Sequence, residues 1–223
     1  MRRPCCFCPE RANWRKLVMN LWEEGTMITR RTLLSTLAAS AVTARSAFAA
    51  ELGDDGLHKQ PWFMDSFLEL PDDLADAAGR GRHLMVLFEQ KGCPYCRELH
   101  EVNFARDEVT GYIQNHFDVV QLDLWGAREV VDFDGEALEE RALAQKWGVN
   151  YTPTTILFAA ENAGATDARE AETFRLPGYL KPFHYLSSLE YVETGEYEKQ
   201  PFQRYLQDKF AELEEKGIDP DVW

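Results

Sequence analysis

The chain has 223 residues, of which 45% are hydrophobic and 12% aromatic, a composition typical of a globular protein with a buried core. Its formal net charge is −14. Because a strongly acidic surface repels phosphate, this charge argues against nucleic acid as a partner.

Positive charge is concentrated at the N-terminus. Residues 1–49 carry eight of the 24 Lys and Arg residues but only three of the 38 acidic residues. A basic, acid-poor leader before an acidic body indicates a targeting segment. Residues 27–49 have the parts of a signal peptide: Arg30-Arg31, an apolar run of about 13 residues, which is shorter than the roughly 20 that span a bilayer, and an A-x-A cleavage signal that ends at Ala49.

The paired arginines and the Thr-Leu-Leu that follows them resemble a twin-arginine signal, which exports folded proteins; an ordinary secretory signal is the alternative. Both predict a periplasmic protein that is cleaved after Ala49. Residues 1–26 precede this signal. We expect either that translation begins at Met27, or that residues 1–26 are a basic, cysteine-rich extension, whose CCFC run lacks the paired spacing of a metal site.

The rest of the chain alternates between predicted strands and helices, after a polar lead-in at residues 50–61 that we expect to be flexible. Short apolar runs predict buried strands at residues 83–90, 118–125 and 154–160, with an edge strand at residues 173–179. Helical patterns cover residues 71–82, a segment from Pro94, residues 107–116 and 135–149, and the C-terminal part. This order predicts one α/β domain, an open sheet with helices on both faces.

The stretch KGCPYCRELH directly follows the first buried strand. Pro94 suits the first turn of a helix, because its missing N–H needs no partner there. Tyr95, Leu99 and Val102 are spaced to lie on one helical face. Cys93 should therefore lie exposed at the N-terminus of a helix.

Two cysteines in this position indicate redox chemistry. A free cysteine has a pKa of ~8.5, and a C-x-x-C motif at a helix N-terminus lowers it to roughly 3.5–7, because the positive end of the helix favours the thiolate. Lys91 and Arg97 are nearby cations. Cys93 is the predicted attacking thiol and Cys96 the resolving thiol. The alternatives are half of a zinc site, into which His100 could be drawn, and a structural disulfide; we expect neither a metal nor a cofactor.

A second signature is the stretch GVNYTPTTILF. Pro153 stands just before a buried strand, where a proline can hold a cis peptide bond, although an isolated proline there would be read as a turn residue.

Together, a CPYC motif between a strand and a helix and a Thr-Pro pair about 60 residues later resemble the thioredoxin superfamily. The resemblance implies a thioredoxin-like fold over residues 60–216: a central mixed sheet flanked by helices on both faces, with extra C-terminal helices. It also implies that Pro153 is cis and packs beside the redox pair, and that the backbone of Thr152 binds the substrate as an added strand.

The stretch LPGYLKPFHYL is more specifically similar to SoxW-type thioredoxins, exported thioredoxins associated with bacterial sulfur oxidation. This likeness implies a periplasmic protein disulfide reductase that receives electrons from a membrane thiol–disulfide donor. Its clients would be proteins of a sulfur-oxidation or cytochrome pathway, and we expect a monomer. Gly178 is expected to shape the substrate groove, unless it only permits close backbone approach. A disulfide-donating oxidase and a redox-inactive binding module are the alternative functions.

The chain departs from the family at two places. Gly92 and the Pro94-Tyr95 pair stand where thioredoxins have Trp and Gly-Pro, so Pro94, Tyr95 and Lys91 are expected to begin the helix and tune the thiol. Thioredoxins place a buried acid six residues before the first cysteine, and here that residue is Leu87. Glu89 lies on the same strand face and is the candidate to move the proton; an exposed carboxylate at the strand end is the alternative.

Overall fold

The computed structural model describes residues 51–218. The predicted signal peptide and the extension at residues 1–26 lie outside this range. The strands are β1 Glu51–Leu52, β2 His58–Lys59, β3 His83–Glu89, β4 Phe117–Asp123, β5 Glu129–Val131, β6 Ala137–Glu139, β7 Thr154–Phe158 and β8 Glu172–Pro177. The α-helices are α1 Leu70–Gly79, α2 Pro94–Glu98, α3 Asp107–His116, α4 Glu140–Lys146, α5 Ala168–Ala171, α6 Pro182–Glu193 and α7 Phe202–Glu215. No helix among the described residues is long and apolar enough to span a membrane.

The central sheet has four strands in the order β4-β3-β7-β8. Strand β3 runs parallel to β4, with Val86 opposite Val120, and antiparallel to β7, with Val86 opposite Ile156. Strand β8 pairs with β7 and lies at an edge of this sheet, as the sequence predicts. The mixed sheet confirms the predicted thioredoxin-like α/β class.

Side chains of β3 alternate between two hydrophobic cores, because successive strand residues point to opposite faces. Leu84, Val86 and Phe88 pack with residues of α1 and α4. Met85 and Leu87 pack with residues of α3 and α6. All seven residues of β3 are buried, which explains the unbroken apolar run of its five central residues, 84–88. Helices therefore cover both faces, and the C-terminal end of β3 is held firmly at the point where the CPYC motif begins.

Two predictions of local structure are wrong. Residues 137–139 form strand β6, paired with β5, where the sequence predicted the start of a helix. Tertiary pairing overrides the helical propensity of Ala-Leu-Glu there, and α4 begins only at Glu140. The lead-in predicted to be flexible forms the β1–β2 pair, and its Leu57 and Gln60 are buried.

Candidate active site at the end of strand β3

The redox pair lies at the junction of β3 and α2. Gly92 has φ of +73°, a left-handed conformation that glycine adopts without strain and that turns the chain into the helix. Cys93 caps α2, and its Sγ accepts a hydrogen bond from the backbone N–H of Cys96 at 3.0 Å. Pro94 occupies the first turn of the helix. The local sequence thus aims a backbone donor at the first sulfur, which is the arrangement that stabilises a thiolate.

Cys93 and Cys96 form a disulfide with a Cα–Cα distance of 5.2 Å, inside the usual range for such bonds. Cys93 is 5% exposed and Cys96 1% exposed. The expectation that Cys93 is openly exposed is wrong for this disulfide form, because the chain around Thr152 covers its sulfur. Cys93 is nevertheless the more accessible of the two, as an attacking thiol needs to be.

The Thr152–Pro153 segment meets the redox pair from the start of β7. The peptide bond between Thr152 and Pro153 is cis. The Thr152 hydroxyl donates to the Sγ of Cys93 at 3.4 Å, and the carbonyl oxygen of Thr152 lies 3.5 Å from the same sulfur. The backbone N–H of Gly178 donates to the Pro153 carbonyl at 2.8 Å. The structure therefore brings together Cys93, Thr152, Pro153 and Gly178, which the sequence placed in one site.

A cleft of about 470 Å³ opens beside the disulfide. It is lined by Tyr95, Tyr151, Thr152, Pro177, Gly178 and Tyr179. Tyr95 and Tyr151 are 58% and 67% exposed, and Tyr95 stacks on Tyr179 with ring centroids 6.3 Å apart. Exposed aromatic rings around a redox pair provide apolar contact area for a bound chain.

Gly178 has φ of +86°, and a Cβ added there would meet nothing within 4 Å. The alternative that this glycine permits close backbone approach is therefore wrong. The left-handed backbone is what requires glycine, and the missing side chain leaves the cleft open.

The cations flanking the motif lie away from the sulfurs. The methylene groups of Lys91 pack against Gly56 in the β1–β2 turn. Arg97 forms an exposed ion pair with Glu101 at 3.8 Å. The groups that hydrogen-bond the Sγ of Cys93 are the backbone N–H of Cys96 in α2 and the hydroxyl of Thr152, which the sequence did not mark for this role.

The buried face of this helical segment differs from the prediction. Tyr95 and Val102 are exposed, and Leu99 is buried. A π-helical turn at Leu99–Asn103 follows α2, and its extra residue per turn shifts the face that packs inward. The residues buried along this segment are Cys96, Leu99, His100 and Asn103.

Glu89, the last residue of β3, is completely buried. The alternative that it is an exposed strand-end carboxylate is therefore wrong. His100 Nε2 lies 3.2 and 3.1 Å from the two carboxylate oxygens of Glu89, and the side-chain amide of Gln121 donates to one of them. The side-chain nitrogen of Gln60 lies 3.1 Å from His100 Nδ1.

No local pattern in the sequence marks Gln60, Gln121 or Tyr151 as residues of the site. The sequence marks His100 only as a possible zinc ligand, four residues after Cys96. His58 approaches this network, with its ring centroid 5.4 Å from that of His100. Burial lowers the pKa of His58, and the adjacent His100 lowers it further. Among the described residues no group of three His, Cys, Asp or Glu side chains is arranged to hold a metal ion.

Comparison with known proteins gives one family and several more distant likenesses. A family model described as a thioredoxin-like domain matches residues 70–193, more than half of the chain. A probable thiol:disulfide interchange protein DsbC from Bordetella avium is 43% identical over 49 residues, which are 21% of this chain. The matched segment spans only 18% of the length of that relative.

Two solved structures are similar in fold. A thioredoxin-fold protein from Helicobacter pylori is 21% identical, with a TM-score of 0.46, and the match covers 59% of this chain and 86% of that one. A thioredoxin from Thermus thermophilus is 26% identical, with a TM-score of 0.43, and the match covers 56% of this chain and 83% of that one.

Proposed function

Since the chain belongs to the thioredoxin-like family, with a Cys-x-x-Cys pair closed as a disulfide, we propose that it is a periplasmic protein disulfide reductase. One observation carries the proposal: the Sγ of Cys93 accepts the Cys96 N–H and touches Thr152 beside the cis Pro153. These contacts support an activated sulfur at Cys93 that exchanges with an extended client segment.

The reduced protein acts through two exchange steps. The thiolate of Cys93 attacks a client disulfide, forms a mixed disulfide and releases the first client thiolate. Cys96 then loses its proton, attacks the Sγ of Cys93 and releases the second client thiolate. The client gains two electrons and, in water, two protons, while Cys93 and Cys96 become the disulfide seen here. A thiol–disulfide donor restores the dithiol by the reverse exchange.

The client binds in the cleft beside the disulfide. The backbone of Thr152 pairs with the client chain as an added strand, and Gly178 leaves room for that chain. Tyr95 and Tyr151 contact its apolar side chains. Pro94 begins the helix that presents Cys93.

Glu89 has the role of the buried acid that the family places two residues earlier, at the position of Leu87. Its complete burial at the end of β3, four residues before Cys93, supports this role. We assign to it the proton that Cys96 loses when it resolves the mixed disulfide.

The leader supports export. Cleavage after Ala49 would release a chain that begins just before β1, and the segment matched by the family model, residues 70–193, follows that site. Its partners in the periplasm would be a membrane protein that supplies electrons and client proteins of a sulfur-oxidation or cytochrome pathway. The likeness of LPGYLKPFHYL to SoxW-type thioredoxins motivates this pathway, and we expect the protein to act as a monomer.

Two measurements test the proposal. A Cys96→Ser variant should accumulate a stable mixed disulfide with a peptide that contains one disulfide, and a Cys93→Ser variant should not. The reduction potential of the pair sets the direction: a value near about −270 mV supports a reductase, and a value near about −120 mV supports a disulfide-donating oxidase instead. If the wild-type protein exchanged with no disulfide, the remaining alternative would be a redox-inactive binding module.

A further inference from the structure

A buried polar network joins the last residue of β3 to the helical segment that follows the redox pair. Its members are Glu89, His100, Gln60 and Gln121, and all four side chains are buried. An unpaired carboxylate away from water is very unfavourable, so its hydrogen-bond partners determine which protonation states it can adopt. Gln60 belongs to the segment that follows β2, Gln121 to β4 and His100 to the π-helical turn.

The directions of the hydrogen bonds assign the proton on the imidazole. The Gln60 side-chain nitrogen is a donor, so the Nδ1 of His100 is the acceptor and its Nε2 carries the hydrogen. That Nε2–H donates to Glu89. The amide nitrogen of Gln121 donates to the same carboxylate and to the carbonyl of His58. Glu89 therefore accepts from the imidazole N–H of His100 and from the amide N–H of Gln121.

The charged and titratable groups around the pair are few. Lys59 reaches the network only through Gln121, whose amide oxygen accepts from Lys59 Nζ at 2.7 Å. His58 faces the ring of His100. Tyr185 lies on the other side, and burial raises the pKa of its hydroxyl, with the charge of Glu89 raising it further. The rings of Phe63 and Phe104 cover His100 edge-on, with centroids 5.7 and 5.1 Å away.

His100 adjoins the resolving cysteine. Cys96 and His100 are four residues apart on one helical segment, and both are buried. Glu89 ends β3 four residues before Cys93, so the two residues of the Glu89–His100 pair flank the redox motif in the chain. Phe104, whose ring contacts that of His100, can accept no proton.

We propose that His100 is a positioning residue that works with Glu89 as one unit to take the proton from Cys96 during resolution and to return it during re-reduction. This inference rests on the proposed function, because it concerns the second exchange step. In that step the Cys96 S–H bond breaks, and the proton enters the Glu89–His100 pair. The Cys96–Cys93 S–S bond then forms, and the bond from Cys93 to the client breaks with its electron pair on the client sulfur.

A neutral imidazole is a suitable partner for a carboxylate that has to take up a proton. A carboxylate held by a fixed cation would be a poor proton acceptor, whereas one held by a neutral imidazole gains a proton without losing its partner, since a histidine can donate or accept. Gln60 fixes the ring tautomer, as the second hydrogen bond of a histidine commonly does. The lead-in segment therefore contributes to the redox site, although it lies outside the CPYC motif.

Single-turnover kinetics test the inference. The reduced wild-type protein, Glu89→Gln, His100→Gln and the double variant are mixed with a fluorogenic disulfide peptide, and attack and resolution are followed separately from about pH 5 to 9. We expect each single variant to slow resolution at pH 7 by about 100-fold, the lower end of the effect of a general acid–base group. The double variant should be no slower than either single one, because the two residues act as a unit.

The same experiment separates this inference from the proposed function. Attack by Cys93 should change little in all variants, and His83→Gln, which alters a buried histidine at the other end of β3, should leave both steps unchanged. Wild-type resolution should slow as pH falls and the pair takes up a proton, and the single variants should lose that dependence. Equal pH profiles for wild-type protein and His100→Gln would overturn the inference, whereas no exchange by wild-type protein would overturn the proposed function.

A measurement on the unaltered protein covers the case in which the variants do not fold. The ring nitrogens of His100 are followed by NMR in the oxidised and reduced forms across the same pH range. We expect a protonated Nε2 and an unprotonated Nδ1 in the oxidised form, and a changed pH dependence when Cys96 is a thiol. Identical His100 signals in both redox forms at every pH would contradict the inference.

Discussion

Two buried carboxylates on opposite faces of the sheet are held in different ways. Glu89, on the face that carries α2 and α3, is paired with a neutral histidine and a glutamine amide. Asp132, beside α4, is 1% exposed and accepts from Lys146 Nζ at 2.7 Å, from the indole N–H of Trp147 at 3.1 Å and from the backbone N–H of Phe133 at 2.7 Å.

The difference shows what each carboxylate can do. Both are removed from water, so both need partners. Lys146 also pairs with Asp134 at 2.6 Å and Glu136 at 2.9 Å, and these hydrogen bonds raise its pKa although burial opposes the rise. A lysine that cannot release its proton fixes the charge of Asp132 and ties the β5–β6 turn to α4. Glu89, by contrast, accepts from an imidazole and from a glutamine amide.

Removing the cation from the second site should have the largest effect on stability. Lys146→Met leaves the buried Asp132 without its counter-charge, which we expect to cost about 3 kcal/mol in the free energy of unfolding. Denaturant unfolding measures this loss. Lys199→Met is the matched control, because Lys199 pairs only with Glu196 on the surface among the described residues, and it should change stability by less than about 1 kcal/mol.

The exchange kinetics of Lys146→Met test whether the two carboxylates are separate in function. The folded fraction of Lys146→Met should resolve mixed disulfides at the wild-type rate, because Asp132 lies on the face away from Cys96. A large loss of resolution rate in fully folded Lys146→Met would show that the two carboxylates are not separate in function.

A matched pair of smaller changes removes one neutral partner from each carboxylate network. Trp147→Phe removes the indole N–H from Asp132, and Gln60→Leu removes the donor to His100 Nδ1. Each removes one hydrogen bond from a buried acceptor and should cost about 1 kcal/mol in denaturant unfolding.

Only Gln60→Leu should also slow resolution, since it frees the ring of His100 to change tautomer. The comparison between the two networks would be wrong if Trp147→Phe slowed resolution as much as Gln60→Leu did.

The smallest effect is a pH dependence of stability near the second site. The hydrogen bond from Lys146 holds the pKa of Asp134 below its ordinary value of 3.8. A carboxyl whose pKa is lower in the folded state stabilises the fold above the unfolded-state pKa, and this contribution is lost as pH falls through the folded-state value. Unfolding measured between about pH 5 and 2 should show a shallower loss of stability in Lys146→Met than in wild-type protein. Equal slopes of stability against pH in the two proteins would show that Lys146 does not cause the lowered pKa of Asp134.

Much of the fold could be predicted from local sequence. The helix predicted at residues 107–116 has the observed bounds of α3, and the apolar runs marked the three buried strands. The order of elements predicted an open sheet with helices on both faces, and the resemblance to thioredoxins implied that this sheet is mixed. The failures came where distant contacts decide: β6 forms because β5 is there to pair with it, and the lead-in is ordered because Leu57 and Gln60 are buried.

The candidate site also has a part that local sequence predicts and a part that distant contacts decide. The two cysteines and Pro153 lie in motifs that can be recognised from the sequence alone. The buried state of Glu89 depends on His100 and Gln121, which are 11 and 32 residues away, and no local pattern reports such contacts. The π-helical turn after α2 also could not be read from spacing, because the heptad-like pattern of Tyr95 and Val102 assumes regular helical geometry.

The central claim is that the sulfur of Cys93 is an activated nucleophile, and alkylation of the reduced protein tests it most directly. Iodoacetamide at pH 7, followed by peptide mass mapping, reports the rate at each cysteine. The account predicts that Cys93 reacts about tenfold faster than an unperturbed cysteine and that the buried Cys96 is protected. A Cys93 that reacts no faster than an unperturbed thiol, or a Cys96 that reacts first, would contradict it.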